Sequence, residues 1–192
     1  MTAARTENRT TMKNFEFSII ASGLDPESED FEQRFHDAGC DDATVSFQKG
    51  RIIVDFTREA GSIDDAVVSA MKNVEAAGAR VDRIEPDPLV SLSDIATRSG
   101  MSRAAMTQYS KGQRGSAFPA PVARVTSESP LWDWATVARW LFQNEKISRD
   151  VAIEAEAIRA ANAATGAREA KLQEVVQKSM RSYEKRLASK AA

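Results

Sequence analysis

Residues 91–110 read SLSDIATRSGMSRAAMTQYS, a pattern typical of two short helices joined by a tight turn. Ser91 and Asp94 have the spacing of a capping box, in which each side chain accepts a hydrogen bond from the other residue's backbone N–H. Gly100 can take the left-handed turn conformation that other residues resist. Ser102 has the chemistry of a helix cap and precedes the second helix. The sequence therefore predicts a helix-turn-helix.

The two predicted helices divide their side chains between an apolar face and an outward face. The apolar residues that we expect to pack the helices together are Ile95, Met101, Met106 and Tyr109. The outward face of the second helix is predicted to carry, behind the cap at Ser102, the residues Arg103, Ala104, Thr107 and Gln108. One face of the second helix is therefore available to a partner.

Charge is unevenly distributed along the 192 residues, whose formal net charge is −2. Residues 1–86 hold 10 Lys or Arg and 17 Asp or Glu, a balance of −7. Residues 89–125 hold five Lys or Arg and a single acid, Asp94, a balance of +4. A basic island between acidic and mixed flanks is typical of a module that binds a polyanion.

The segment after the second helix predicts a small wing. KGQRG at 111–115 is a basic, glycine-rich loop. Residues 122–126 and 130–132 are predicted to pair as a short hairpin, after which Asp133 caps a helix that carries Trp140. The predicted order is thus helix, turn, helix, two-stranded wing and closing helix.

Three motifs in this stretch carry a family resemblance. They are SDIATRSGMSR at 93–103, FPAPVARV at 118–125 and SPLWDWATVARWL at 129–141. On these motifs, residues 89–142 resemble the winged helix-turn-helix bacterial regulators of the MerR, excisionase and AlpA-like superfamily. The resemblance implies sequence-specific binding of double-stranded DNA, with the second helix in the major groove and the wing along the backbone or in the minor groove.

The resemblance also implies roles for individual residues. The residues implied to contact bases are Ser102, Arg103, Thr107 and Gln108, and those implied to contact the backbone are Lys111, Arg114 and Arg124. Arginine pairs with guanine O6 and N7, and glutamine with adenine N6 and N7. A face with one arginine gives modest base readout, so we expect dimerisation or recognition of DNA shape to contribute.

The N-terminal part predicts a separate α/β domain. Its predicted elements are a strand at 15–19, a helix from Asp25, strands at 44–48 and 51–57 about a turn at Lys49-Gly50, a helix capped by Ser62 and a strand at 79–85. The order βαββαβ predicts a ferredoxin-like sandwich within an α+β chain. Pro86 and Pro88 disfavour helix and mark a boundary.

The C-terminal part predicts a helix capped by Ser148 and, beyond Gly166, a long helix with a narrow apolar stripe. The stripe consists of Leu172, Val176, Met180, Tyr183 and Leu187. A lone helix of this kind is marginal in water, so it must pack on its own chain or on a second copy. The sequence favours a homodimer contact over docking within the chain.

We predict five segments from these patterns. They are an arm at 1–13, a ferredoxin-like domain at 14–86, a linker at 87–88, a winged helix-turn-helix domain at 89–146 and a helical dimerisation tail at 147–192. The acidic domain at 14–86 is expected to sense a protein partner or a small ligand, because its negative charge disfavours contact with DNA.

Composition argues against several classes of protein. The chain has one histidine, His36, and one cysteine, Cys40, so we expect neither a metal site nor an enzyme, and no cofactor. No apolar run reaches the ~18 residues of a membrane span, and the N-terminus lacks the apolar core of a signal peptide. We expect a cytoplasmic protein that does not bind membranes.

The favoured interpretation is a dimeric transcriptional repressor that reads DNA with the helix at 102–111 and controls its own operon. The alternative is an antitoxin-like protein that neutralises a basic partner protein, for which DNA binding serves only autoregulation. Co-purification of such a partner would distinguish the two.

Overall fold

The computed structural model describes residues 11–165 and 169–188, with side chains described for 11–165 and 176–188. These residues form a four-stranded antiparallel sheet, a two-stranded sheet and seven helices, which confirms the α+β class. The chain divides into two compact units between Val81 and Asp82. This division falls inside a strand, before the predicted linker at 87–88.

The large sheet contains four strands and is accompanied by two helices. In chain order they are β1 (Lys13–Ser22), α1 (Phe31–Asp37), β2 (Ala43–Gln48), β3 (Arg51–Ala60), α2 (Ile63–Ala76) and β4 (Arg80–Glu85). The strand order across the sheet is β2-β3-β1-β4. β1 already includes Lys13, which the sequence assigned to the arm at 1–13, and residues 1–10 lie outside the described residues.

Alternation of side chains places one face of the sheet in the core. On β3, Val54, Phe56 and Arg58 are buried while Asp55 and Thr57 between them are exposed. The ring of Phe56 stacks on Phe17 of β1, with 5.5 Å between ring centroids. The tight turn between β2 and β3 is confirmed. Lys49 and Gly50 both have positive φ, 51° and 77°, as a two-residue hairpin turn requires.

The first helix begins later than the sequence predicts. We expected it from Asp25, but α1 begins at Phe31. The Asp25 carboxylate accepts a hydrogen bond from the backbone N–H of Glu27 at 3.0 Å, and the Ser28 hydroxyl donates to the Asp25 carbonyl at 2.9 Å. These bonds hold a local turn, because Asp and Ser side chains compete with the helix for backbone groups.

A buried arginine organises the side of the sheet next to α2. Arg58 is 8% exposed and uses all five of its N–H donors. Its acceptors are both carboxylate oxygens of Asp42, at 2.7 and 2.8 Å, the Ser69 hydroxyl, the Asn73 side-chain oxygen and the Gly39 carbonyl. Its guanidinium also lies 4.7 Å from the ring centroid of Phe56.

The single thiol lies beside this cluster. Cys40 is 3% exposed, and burial raises its pKa to about 11, although the nearby charge of Arg58 acts in the opposite direction. The thiol therefore stays protonated at neutral pH.

The second unit is mainly helical. Its elements are β5 (Leu89–Val90), α3 (Leu92–Ser99), α4 (Arg103–Ser110), β6 (Trp132–Asp133), α5 (Trp134–Gln143), α6 (Arg149–Ala164) and α7 (Glu169–Ala188). β5 and β6 pair antiparallel, with Val90 opposite Trp132. The core of α3, α4 and α5 is formed by residues that include Ile95, Met106, Trp132 and Leu141.

Four predicted helix caps of this unit are confirmed. The side chains of Ser91, Ser102, Asp133 and Ser148 each accept a hydrogen bond from the backbone N–H three residues on. Such caps stabilise a helix by about 1 kcal/mol each because they satisfy a backbone donor that has no partner inside the helix. The start of each helix is therefore encoded within four residues.

The predicted wing hairpin is largely absent. Residues 122–126 and 130–132 form one isolated bridge, between Ala123 and Leu131, instead of two paired strands. Arg124 has a φ of 50°, and its carbonyl accepts a hydrogen bond from the N–H of Ser127 at 2.9 Å. This turn takes the chain out of the extended conformation directly after the bridge. Trp132 pairs with Val90 of β5 instead.

The apolar stripe of α7 is buried within the single chain. Val176, Met180, Tyr183 and Leu187 are at most 3% exposed, and α7 packs on α6. The side chain of Leu172 lies outside those that the structure describes. Docking on the same chain, which the sequence ranked second, is therefore the arrangement in this structure, whereas homodimerisation itself stays a prediction.

None of the described helices is both long enough and apolar enough to cross a bilayer.

Candidate nucleic-acid interface

The turn between α3 and α4 has the geometry that its sequence predicts. The Ser91 hydroxyl accepts from the Asp94 N–H at 3.2 Å, and the Asp94 carboxylate accepts from the Ser91 N–H at 2.8 Å. The Ser91 hydroxyl also donates to the Asp94 carboxylate at 2.7 Å, and this bond, followed by the one from the Ser91 N–H, holds the pKa of Asp94 below its ordinary value. Gly100 ends α3 with a φ of 67°, and its N–H donates to the last turn of the helix. Two residues later, Ser102 starts α4.

Helix α4 has one face in the core and one in solvent. Ala105, Met106 and Tyr109 are buried. The exposed residues of the opposite face are Ser102, Arg103, Ala104 and Gln108, with Thr107 half-buried at its edge. The face predicted to meet a partner is therefore open to solvent in the chain.

Three of the four residues predicted to contact bases already make hydrogen bonds. The Ser102 hydroxyl accepts from Ala105 N–H as the cap, and the Thr107 hydroxyl donates to the Arg103 carbonyl at 3.0 Å. The guanidinium of Arg103 donates to the Ser93 hydroxyl in the first turn of α3. Ser93 therefore also belongs to this surface. It was not predicted, because its bond to Arg103 depends on how two helices pack.

The basic loop after α4 is held against the aromatic core. Arg114 lies 5.2 Å above the ring centroid of Tyr109, within cation–π distance. Trp140 donates its indole N–H to the Ser116 carbonyl at 3.1 Å, and Trp132 donates to the Pro119 carbonyl at 3.0 Å. The loop therefore has a defined path despite its lack of regular structure.

Gly115 allows this loop to approach Tyr109 closely. Its φ is 66°, and a Cβ atom there would lie 3.1 and 3.3 Å from two carbons of the Tyr109 ring. Both the backbone conformation and the available space therefore favour glycine. Gly112 has a similar φ of 67° but open space around it.

The segment that was predicted as a wing ends in exposed residues. Arg124 is exposed, and its apolar neighbours Val122 and Val125 are 58% and 61% exposed. Large apolar side chains with this exposure do not contribute to the core.

The charge of this surface follows from the lack of acidic residues in its sequence and from the structural role of one arginine. No Asp or Glu occurs between Asp94 and Glu128. Of the five basic residues there, Arg98 has a structural role, because it donates to the Asp87 carbonyl at 2.9 Å and lies over the Trp134 ring. Burial lowers the pKa of Arg98. The four exposed cations of the island are Arg103, Lys111, Arg114 and Arg124.

Six of the seven residues predicted to contact DNA lie along α4 and the loop that follows it. They are Ser102, Arg103, Thr107 and Gln108, the C-cap residue Lys111, and Arg114 above Tyr109. Arg124 lies outside this set, in the loop that leads to β6. We call the six residues the α4 surface.

Comparison of the chain with known protein families, with curated proteins and with solved structures finds no match. A search of the described residues for metal sites finds no group of three or more His, Cys, Asp or Glu placed to hold an ion.

Proposed function

We propose that this protein is a sequence-specific DNA-binding transcriptional regulator that inserts α4 into the major groove. In this proposal residues 89–146 act as a winged helix-turn-helix module, in which the loop at 122–131 takes the place of a regular wing. The protein represses transcription as a dimer, and the dimer reads two half-sites about one helical turn, ~34 Å, apart.

The proposal rests on the exposed face of α4, a capped helix that lies in a stretch of the chain without Asp or Glu. α4 presents Arg103 and Gln108, the two side chain types that pair bidentately with guanine and adenine. Lys111 and Arg114 flank that face and can contact phosphates. Acidic side chains, which would repel the DNA backbone, are absent from the sequence between Asp94 and Glu128.

The N-terminal unit has a separate role in this proposal. Its strand order β2-β3-β1-β4, with helices after β1 and β3, supports a ferredoxin-like fold. We assign it the binding of a protein partner or small ligand, because the balance of −7 over residues 1–86 opposes contact with DNA.

The test uses DNA selected from a random library by the full chain, followed by footprinting and gel shift. Arg103→Lys keeps the charge but removes the planar pair of donors, so it should relax base preference by about 5–150-fold at one position, equivalent to ~1–3 kcal/mol. Arg114→Ala should weaken binding to all sequences alike and reduce the slope of log K against log salt by about 1.

Lys146→Ala is the matched control, because Lys146 is exposed and lies outside the basic island. It should leave both sequence preference and salt slope unchanged. If Arg103→Lys and Arg114→Ala behave like this control, the α4 surface does not contact DNA and the proposal is wrong.

A further inference from the structure

An open cleft lies between α6 and α7, away from the α4 surface in sequence. Its volume is about 290 Å³. Its lining residues are Glu156 and Arg159 of α6 and Lys178, Ser179, Ser182 and Arg186 of α7. Three cations and two hydroxyls therefore surround one carboxylate.

The carboxylate fixes the position of one cation and does not face solvent. Glu156 is 3% exposed, and its two oxygens accept from Nε and Nη2 of Arg159 at 3.0 and 2.5 Å. This pairing leaves the two N–H groups of Nη1 for another acceptor. The formal charges of Glu156, Arg159, Lys178 and Arg186 sum to +2, and Arg186 also lies 5.6 Å from the ring centroid of Tyr183. A half-exposed arginine held by a buried partner is a donor that needs little reorganisation to bind an anion.

A buried hydroxyl beside this lining lacks a hydrogen-bond partner among the described residues. Tyr183 is 1% exposed and its hydroxyl is unpaired. Burial, followed by the charge of Glu156, raises the pKa of Tyr183 to about 12, so the phenol remains a donor. Arg139, Arg159 and Arg186 are close enough for their charges to act on it. Tyr183 is not one of the residues that line the cleft, so its hydroxyl is not counted as a donor to a ligand there.

We propose that the cleft between α6 and α7 binds a phosphate group. A phosphate presents several acceptor oxygens and up to two negative charges, which match the net charge of the lining and its guanidinium, ammonium and hydroxyl donors. The group belongs either to a small phosphorylated ligand or to the DNA backbone. Only the second source rests on the proposed function.

The test compares two double variants of α7 that remove the same charge. Lys178→Gln with Arg186→Gln removes two lining cations, whereas Arg181→Gln with Lys185→Gln removes two exposed cations of the same helix outside the lining. Inorganic phosphate is titrated into each full-length protein and followed by amide chemical shifts. The lining variant should bind about tenfold more weakly than wild type, the factor expected for the loss of a charge-assisted hydrogen bond, and the control should bind like wild type.

Salt dependence of DNA binding separates the two sources of phosphate. If the cleft binds a phosphate of the DNA backbone, the slope of log K against log salt for DNA binding should be smaller by about 1–2 for the lining variant than for the control variant. If the cleft binds a small phosphorylated ligand, this slope should be the same for both variants, and only the affinity for inorganic phosphate should be lower in the lining variant. The inference is wrong if the lining variant matches the control variant in both phosphate affinity and salt slope. That outcome would not change the Arg103→Lys test, which decides the proposed function separately.

Discussion

Arg58 shows what a single side chain contributes when every donor it carries is satisfied. The guanidinium lies in the core of the N-terminal unit and joins β3 to Asp42, to the Gly39 carbonyl and to Ser69 and Asn73 of α2. A buried charge is tolerated only with such partners, because removal from water costs several kcal/mol. Arg58 therefore sets the spacing of the surrounding elements.

We expect Arg58→Met to lower the free energy of unfolding by about 3 kcal/mol, because it leaves the partly buried Asp42 carboxylate and two side-chain acceptors without their donor. The measurement is urea denaturation followed by far-ultraviolet circular dichroism. Arg51→Met is the control on the same strand, since Arg51 is exposed. An equal loss in both variants would contradict a special role for Arg58.

Single residues also show where sequence reasoning reaches its limit. The exposure of Arg103 and Gln108 could be predicted, since it follows from helical periodicity. The bond from Arg103 to Ser93 and the burial of Arg58 could not, because each depends on a neighbour at least ten residues away whose position is set by packing. The strand predicted at 51–57 ends before this arginine.

Helix starts were predicted accurately because their determinants are local. Ser62, Ser91, Ser102, Asp133 and Ser148 all cap the helices that they were expected to cap. The start of α1 was wrong for an equally local reason, since the Asp25 side chain stabilises a turn instead. The same residue types favour both outcomes, and the sequence alone does not rank them.

The predicted wing hairpin is reduced to the bridge between Ala123 and Leu131, because strand pairing is not local. Residues 122–126 have strand-like composition, but the turn at Arg124 ends the extended conformation. The two-residue strand β6 pairs with β5, more than 40 residues earlier in the chain. Composition does not identify such a partner.

Gly115 and Gly112 allow a matched test of the loop after α4. Both have positive φ, so Ala costs each about 1–2 kcal/mol through backbone strain. Only at 115 does the new Cβ meet the Tyr109 ring, so Gly115→Ala should destabilise more and should shift the fluorescence of the neighbouring Trp140. Urea denaturation followed by tryptophan fluorescence measures both effects. Equal losses for the two variants would mean that Tyr109 moves aside at no cost.

At the scale of the whole molecule, the position of α7 determines what the apolar stripe of this helix packs against. The four described stripe residues are buried by the same chain, so they contribute to its stability directly. If the protein is a dimer, as the proposed function requires, the contact must use a different surface from these side chains.

We expect Met180→Ala to lower the free energy of unfolding by about 2–5 kcal/mol, as for other buried methionines. Sedimentation at several protein concentrations should give the same association state as wild type, because the side chain packs within the chain. Glu184→Ala, an exposed position on the same helix, is the control for both measurements. A variant that dissociates at concentrations where wild type does not would instead place the stripe between two copies.

The fold class and the caps of the helices could thus be predicted from the sequence, and the contacts that position α4, α7 and Arg58 could not. Local chemistry specifies where an element begins, whereas its neighbours depend on the packing of the entire unit. The alternative of an antitoxin-like protein stays a prediction for the same reason, since it depends on a partner chain.

The burial of Cys40 has a practical consequence for studying the molecule. Because the only thiol of the chain is shielded and resists ionisation, maleimide dyes and spin labels will react with it slowly. A cysteine introduced at an exposed position, for example by Val125→Cys, would then be the one fast-reacting handle. The natural sequence therefore permits site-specific labelling without prior removal of a native residue.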